Sequence, residues 1–193
     1  MPPNLPALFV LRHGETEWNV AGRLQGHLDS PLTALGRVQA ARQNAILREV
    51  LPEGAEALVS DSGRSVETAR IALAGLDLPV RSDPRLREVA LGRWQGLTLA
   101  EIEAGWGGLI AERDPFEWKF DAPGGETLRA LADRAASVLA EIARPTVVVT
   151  HGLTSRVLRC LALGHPPEAL ASLPGGQGVV HVIEGRVART LGT

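Results

Sequence analysis

The run Thr146-Val147-Val148-Val149-Thr150-His151-Gly152 places five consecutive strand-favouring residues directly before a histidine and a glycine. β-Branched side chains with no polar alternation suit a strand buried on both faces, as in a parallel sheet covered by helices. A second run ends the same way, with Ala7-Leu8-Phe9-Val10-Leu11 opening onto Arg12-His13-Gly14. Two buried strands, far apart in sequence, therefore each deliver a His-Gly pair at their carboxyl end.

Between and beyond these strands, helical patterns alternate with shorter apolar runs. Residues 33–49 read as a helix, with Thr33 as N-cap and Leu35, Val38, Ala41, Ala45 and Ile46 at helical spacing. Residues 57–60 read as a short strand leading into a helix through Val66, Ala69, Ile71 and Leu73, and 79–81 as a third strand. Thr98-Leu99-Ala100-Glu101 fits a capping box at the start of a short helix. Residues 126–144 carry the clearest stripe (Leu128, Leu131, Ala135, Val138, Leu139, Ile142). Residues 153–163 pack Leu153, Val157 and Leu161. Residues 178–183 and 186–191 read as a hairpin turning at Glu184-Gly185. This alternation predicts an α/β fold, a three-layer α/β/α sandwich with a mostly parallel central sheet. No repeat, low-complexity tract or linker divides the chain, so one domain is expected over residues 1–193, with 101–125 as a candidate cap.

The 193 residues suffice for one sizeable core. With 45% hydrophobic and 22% charged residues the composition is that of a globular protein, and disorder is excluded. A net charge of −2 gives no broad field for nucleic acid or an anionic membrane, so any anion recognition must come from a local cluster. One cysteine, Cys160, excludes an internal disulfide and a cysteine-rich zinc site. Neither a signal peptide nor a membrane span is legible, and a cytoplasmic location is expected. The expected partner is a small phosphorylated substrate, with no nucleic acid and no membrane; a homodimer is left open.

In parallel sheets ligands bind beyond the carboxyl ends of the strands. Arg12, His13, His151 and Gly152 fall there, Arg64 begins the helix after the second strand, and Glu88 follows the third. Two histidines, two arginines and a carboxylic acid match the needs of phosphoryl transfer without a metal. A neutral His13 imidazole can attack phosphorus and form a phosphohistidine that water later hydrolyses. Arg12 and Arg64 would clamp the phosphoryl oxygens and keep the imidazole from gaining a proton as the anion arrives. His151 would add a third donor as charge spreads over those oxygens. Glu88 would protonate the leaving alkoxide, provided its site raises its pKa above the usual value of about 4.3. No metal and no other cofactor is expected.

The string Leu11-Arg12-His13-Gly14-Glu15-Thr16-Glu17-Trp18-Asn19 strongly resembles the signature of the histidine phosphatase superfamily, the phosphoglycerate mutase-like proteins. The resemblance continues through Gly22-Arg23-Leu24-Gln25-Gly26, Asp29-Ser30-Pro31-Leu32-Thr33, Ser60-Asp61, Arg64 and Thr68-Ala69. It resumes at Glu88, Leu91-Gly92-Arg93-Trp94-Gln95-Gly96, Gly124-Gly125-Glu126-Thr127 and Val149-Thr150-His151-Gly152. It implies that His13 is phosphorylated, that Arg12, Arg64 and His151 bind the phosphoryl group, and that Glu88 is the proton donor. It also implies substrate contacts from Asn19, Thr16 and Gln25. Ser62 and Ser65 stand where the family often has leucine and alanine, a departure expected to bear on helix packing more than on phosphate binding.

The family divides between mutases and phosphatases. Its glycolytic mutases resemble one another in a tyrosine, a lysine and paired arginines after the acid; this chain has no tyrosine, a single lysine at Lys119 and no Arg-Arg pair. A phosphatase is therefore expected, resembling short bacterial members such as α-ribazole phosphatase. The alternatives are a cofactor-dependent phosphoglycerate mutase or a catalytically silent phosphate-binding protein. Trp106, Phe116, Trp118 and Phe120 either cap the site or pin an irregular excursion onto the sheet. His27, His165 and His181 are expected to be structural or exposed, Cys160 to be core, Trp94 to be a packing anchor, and Asp61 to cap local backbone.

Overall fold

A computed structural model describes residues 5–110 and 116–192. Its six strands are β1 (Leu8–Arg12), β2 (Glu56–Val59), β3 (Val80–Ser82), β4 (Thr146–Thr150), β5 (Val180–Glu184) and β6 (Val187–Leu191). They form one sheet in the order β3-β2-β4-β1-β5-β6. β3, β2, β4 and β1 run parallel, while β5 is antiparallel to β1 and turns back into β6.

Side-chain alternation across the central strands explains their unbroken apolar character. Leu8, Val10, Leu58 and Val148 face one core. Phe9, Leu11, Ala57, Val59, Val147 and Val149 face the other. The first core lies under α5 (Leu128–Glu141) and α6 (Gly152–Leu163), the second under α2 (Ala34–Val50) and α3 (Gly63–Ala72). With helices on both faces the middles of the central strands are apolar on both sides, and the three-layer sandwich follows.

The expected N-cap at Thr33 forms, its Oγ1 accepting from Gly36 N at 3.0 Å, and α5 is capped in the same way by Thr127 Oγ1, which accepts from Ala130 N at 3.2 Å. Thr98 and Glu101 close their reciprocal box at the start of α4 (Leu99–Ile110), which kinks at Trp106. The buried face of α2 differs from expectation. Leu35 and Val38 are exposed, and the residues turned inward are Gly36, Ala40, Gln43 and Leu47. The cause is a backbone crossing: a β-carbon on Gly36 would lie 2.1 Å from Glu15 O, and one on Gly14 would lie 2.2 Å from Gly36 O. Only glycine on both sides lets the start of α2 press against the turn after β1, and that contact fixes the rotation of the helix. Gly14 thus serves the packing of α2.

α1 (Glu17–Val20) is a single turn whose capping box pairs Thr16 with Asn19. The candidate cap segment 101–125 includes residues 111–115, which lie outside the described residues. On either side of them Trp106 and Trp118 pack against fully buried Trp94, at ring-centroid distances of 6.3 and 5.5 Å. These aromatics pin the excursion, and Trp94 is the anchor expected. Among the described residues no helix is long and apolar enough to cross a membrane.

Candidate active site

β1 and β4 are neighbours, so their carboxyl ends bring His13 and His151 together. His13 N donates to Thr150 O at 2.9 Å, and the two imidazoles lie 5.2 Å apart, centroid to centroid. His13 Nδ1 is 2.8 Å from Gly14 O. A carbonyl only accepts, so Nδ1 carries the proton and Nε2 presents its lone pair. Burial lowers the His13 pKa well below its usual value, and the Arg12 and Arg64 charges lower it further. Both effects favour the neutral imidazole.

Arg64, 1% exposed, enters from the first turn of α3. Its Nη1 donates to Leu28 O (2.7 Å) and Asp29 Oδ1 (2.8 Å), and its Nη2 to Gly26 O (2.9 Å). These bonds lock the guanidinium while leaving its buried Nε without a partner. Arg12 Nε and His151 Nδ1 are likewise buried and unpartnered. Burial lowers the Arg12 pKa, against the opposing pull of Glu88. Buried donors are nearly always satisfied, so three unpartnered donors beside His13 form a set whose chemistry suits an anion.

Glu88 is held at the N-terminus of α6. Its Oε2 accepts from Leu153 N (3.1 Å), and its Oε1 from Thr154 N (3.1 Å) and Val89 N (3.0 Å). A β-carbon placed on Gly152 would lie 3.5 Å from Glu88 Oε2 and 3.6 Å from the Arg12 guanidinium carbon, so the two side chains converge over that glycine.

The surrounding cavity of about 280 Å³ is lined by Arg12, His13, Asn19, Gln25, Arg64, Glu88 and Gly152, among others. Thr16 is a correction: it is fully buried and does not line the cavity. Its hydroxyl accepts from Asn19 N (3.2 Å) and Gln25 Nε2 (2.8 Å), so it positions two residues that do.

Ser62 and Ser65 are a second correction. Their hydroxyls lie 3.2 and 3.3 Å from His151 Nε2, with Ser60 Oγ at 2.9 Å. The departure from the family pattern therefore bears on His151 rather than on helix packing alone. Asp61 is a third: it pairs with Arg87 at 2.5 Å, beside the loop that carries Glu88. His27 is exposed and bonds the Glu88 carbonyl at 3.0 Å; His165 is exposed; Cys160 is core.

Phe116, one of the aromatics offered as a cap, lines the cavity, whereas sequence reasoning did not single out Arg23, Lys119, Arg156, Arg159, Gly175 and His181. The one available signal was a pair of arginines three apart on an otherwise apolar helix, Arg156 and Arg159. No group of three or more histidine, cysteine, aspartate or glutamate side chains among the described residues is placed to hold a metal ion.

Comparison with known proteins agrees with this geometry. The model of the histidine phosphatase superfamily (branch 1) matches residues 8–190. The glucosyl-3-phosphoglycerate phosphatase of Mycolicibacterium vanbaalenii is 38% identical over 186 residues, covering 89% of this chain and 80% of that protein. The protein named "Probable phosphoglycerate mutase GpmB" of Proteus mirabilis is 36% identical over 172 residues, covering 84% and 77%. Among solved structures, the α-ribazole phosphatase of Shigella flexneri superposes with a TM-score of 0.77 at 26% identity, covering 94% of this chain and 93% of that one.

Proposed function

Because this chain belongs to the histidine phosphatase superfamily, we propose that it hydrolyses a small phosphate monoester through a covalent phosphohistidine on His13. The observation that carries the reading is the set of three orphaned donors, Arg12 Nε, Arg64 Nε and His151 Nδ1, around a neutral imidazole with a free Nε2.

In the first step His13 Nε2 attacks phosphorus, a P–N bond forms and the P–O bond to the alcohol breaks. The leaving oxygen takes a proton from Glu88. Arg12, Arg64 and His151 hold the three equatorial oxygens as their charge rises. In the second step water attacks the phosphohistidine and gives its proton to Glu88; the P–N bond breaks, and inorganic phosphate and neutral His13 are restored. Main-chain donors at the start of α6 fix Glu88 for both roles. The resting neutrality of His13 matters because a protonated imidazole has no lone pair to offer.

The absence of tyrosine and of an Arg-Arg pair favours water over a second substrate hydroxyl as acceptor. The test is phosphate release from a panel of phosphomonoesters with chelator present, wild type beside His13→Ala. Release that the variant abolishes, with acid-labile label trapped on the wild type, supports the reading. Conversion of 3- to 2-phosphoglycerate without phosphate release would replace it with a mutase.

A further inference from the structure

Six arginine and lysine side chains line the cavity, and only Arg12 and Arg64 of these are needed for one phosphoryl group. Two of the remaining cations, Arg156 and Arg159, lie on α6. Arg159 is 3% exposed; its Nε donates to Ser155 O (3.2 Å), its Nη2 to Pro174 O (2.7 Å), and its Nη1 to nothing. Arg156 gives Nη1 to the carbonyls of Leu170 and Leu173 and stacks over Phe116 with 4.4 Å from Cζ to the ring centroid. Its Nε and Nη2 stay free.

Neither arginine meets a carboxylate among the described residues. Burial and the neighbouring Arg156 charge bring the Arg159 pKa down to about 10. Burial, then Arg159 and Arg156, bring that of His181, on the same wall, down to about 3. A buried cation such as Arg159 without an acid is costly, and the half-buried Arg156 beside it adds to that cost. The loop after them adds neutral donors: Gly175 and Gly176 line the cavity, and their main-chain N–H groups donate to no protein group. A β-carbon on Gly175 would stand 2.7 Å from Arg156 Nη2, so glycine there keeps the loop against the guanidinium.

We propose that Arg156, Arg159 and the amides of Gly175 and Gly176 form a second oxyanion subsite, so that the substrate is a phosphate monoester bearing another acidic group. The group is a carboxylate or a second phosphate; both offer the paired oxygens that arginine grips. This rests on the phosphatase reading above.

The test compares substrates that differ only in that group. One pair is 3-phosphoglycerate against glycerol 3-phosphate, carboxylate against hydroxymethyl. The other is propane-1,3-diol bisphosphate against its monophosphate. Wild-type kcat/KM should favour the charged member of at least one pair by about tenfold or more, and the pair with the larger ratio identifies the group. The ratio should fall towards one in Arg159→Gln and in Arg156→Gln. A wild-type ratio of one or less on both pairs, with the neutral esters still hydrolysed, overturns the subsite, as does a preference that survives in both variants. If Arg159→Gln does not fold, the wild-type ratios and Arg156→Gln decide alone. Absence of turnover on every ester would instead overturn the phosphatase reading.

Discussion

Removal of the serine hydroxyls around His151 tests how the site sets the proton position on that ring. His151 Nε2 has Ser60, Ser62 and Ser65 Oγ at 2.9, 3.2 and 3.3 Å, and its Nδ1 is an orphaned donor. One nitrogen lone pair accepts one strong hydrogen bond, and Ser60 is nearest; the others bond within the cluster, Ser62 to Ser60 at 3.2 Å and to Ser65 at 3.3 Å. A hydroxyl donating to Nε2 keeps the proton on Nδ1, where it can reach a phosphoryl oxygen. Ser62→Ala or Ser65→Ala alone leaves Ser60 in place and should lower kcat/KM by less than about threefold, since less than about 0.7 kcal/mol is lost. Ser60→Ala/Ser62→Ala/Ser65→Ala together strip Nε2 of every partner in a fully buried position. A buried unsatisfied group costs about 1–3 kcal/mol, so kcat/KM should fall about 5- to 150-fold. The assay is p-nitrophenyl phosphate hydrolysis under second-order conditions, with the ring tautomer read by nitrogen NMR. A triple variant with wild-type kcat/KM and an unchanged tautomer would refute the argument. So would a single Ser65→Ala loss as large as that of the triple.

Three further outcomes are expected. Glu88→Gln should slow alkyl phosphates far more than activated aryl phosphates, whose leaving group barely needs a proton; equal losses would remove Glu88 as the acid. Gly36→Ala forces a carbon to 2.1 Å from a backbone oxygen that cannot rotate away, so urea unfolding should show a loss of about 3 kcal/mol or more, and an unchanged midpoint would disprove the crossing. His181 is held near 3 when folded, against 6.5 when unfolded, so the unfolded chain binds more protons between those values. Stability should therefore be full above pH 6.5 and fall towards pH 3, by up to about 1.4 kcal/mol per pH unit from this residue, and His181→Asn should flatten the slope. An identical slope in the variant would count against this burial.

The local chemistry of the sequence determined much of the protein. Valines at 147, 148 and 149 suit a doubly covered strand, and Thr33 before a helical pattern is an N-cap, as its bond to Gly36 N shows. The His-Gly pairs at the ends of such strands then follow the sheet to one edge, which is why His13, Arg12, Arg64, Glu88 and His151 were legible as one group. Other features depend on which surfaces meet. The buried face of α2 follows from the Gly14–Gly36 crossing, not from its apolar stripe, so Leu35 and Val38 ended outside. Gln43, polar by sequence, is buried because its amide donates to Arg12 O (3.0 Å), at the end of β1, and to Val179 O (3.1 Å), just before β5. Thr16 withdrew behind Asn19 and Gln25, the serines turned to His151, and Arg156 and Arg159 opened onto the cavity for the same reason. Strand and cap preferences act between residues a few positions apart, whereas a polar side chain's partner is chosen by distance in space, and that distance exists only once the chain has folded.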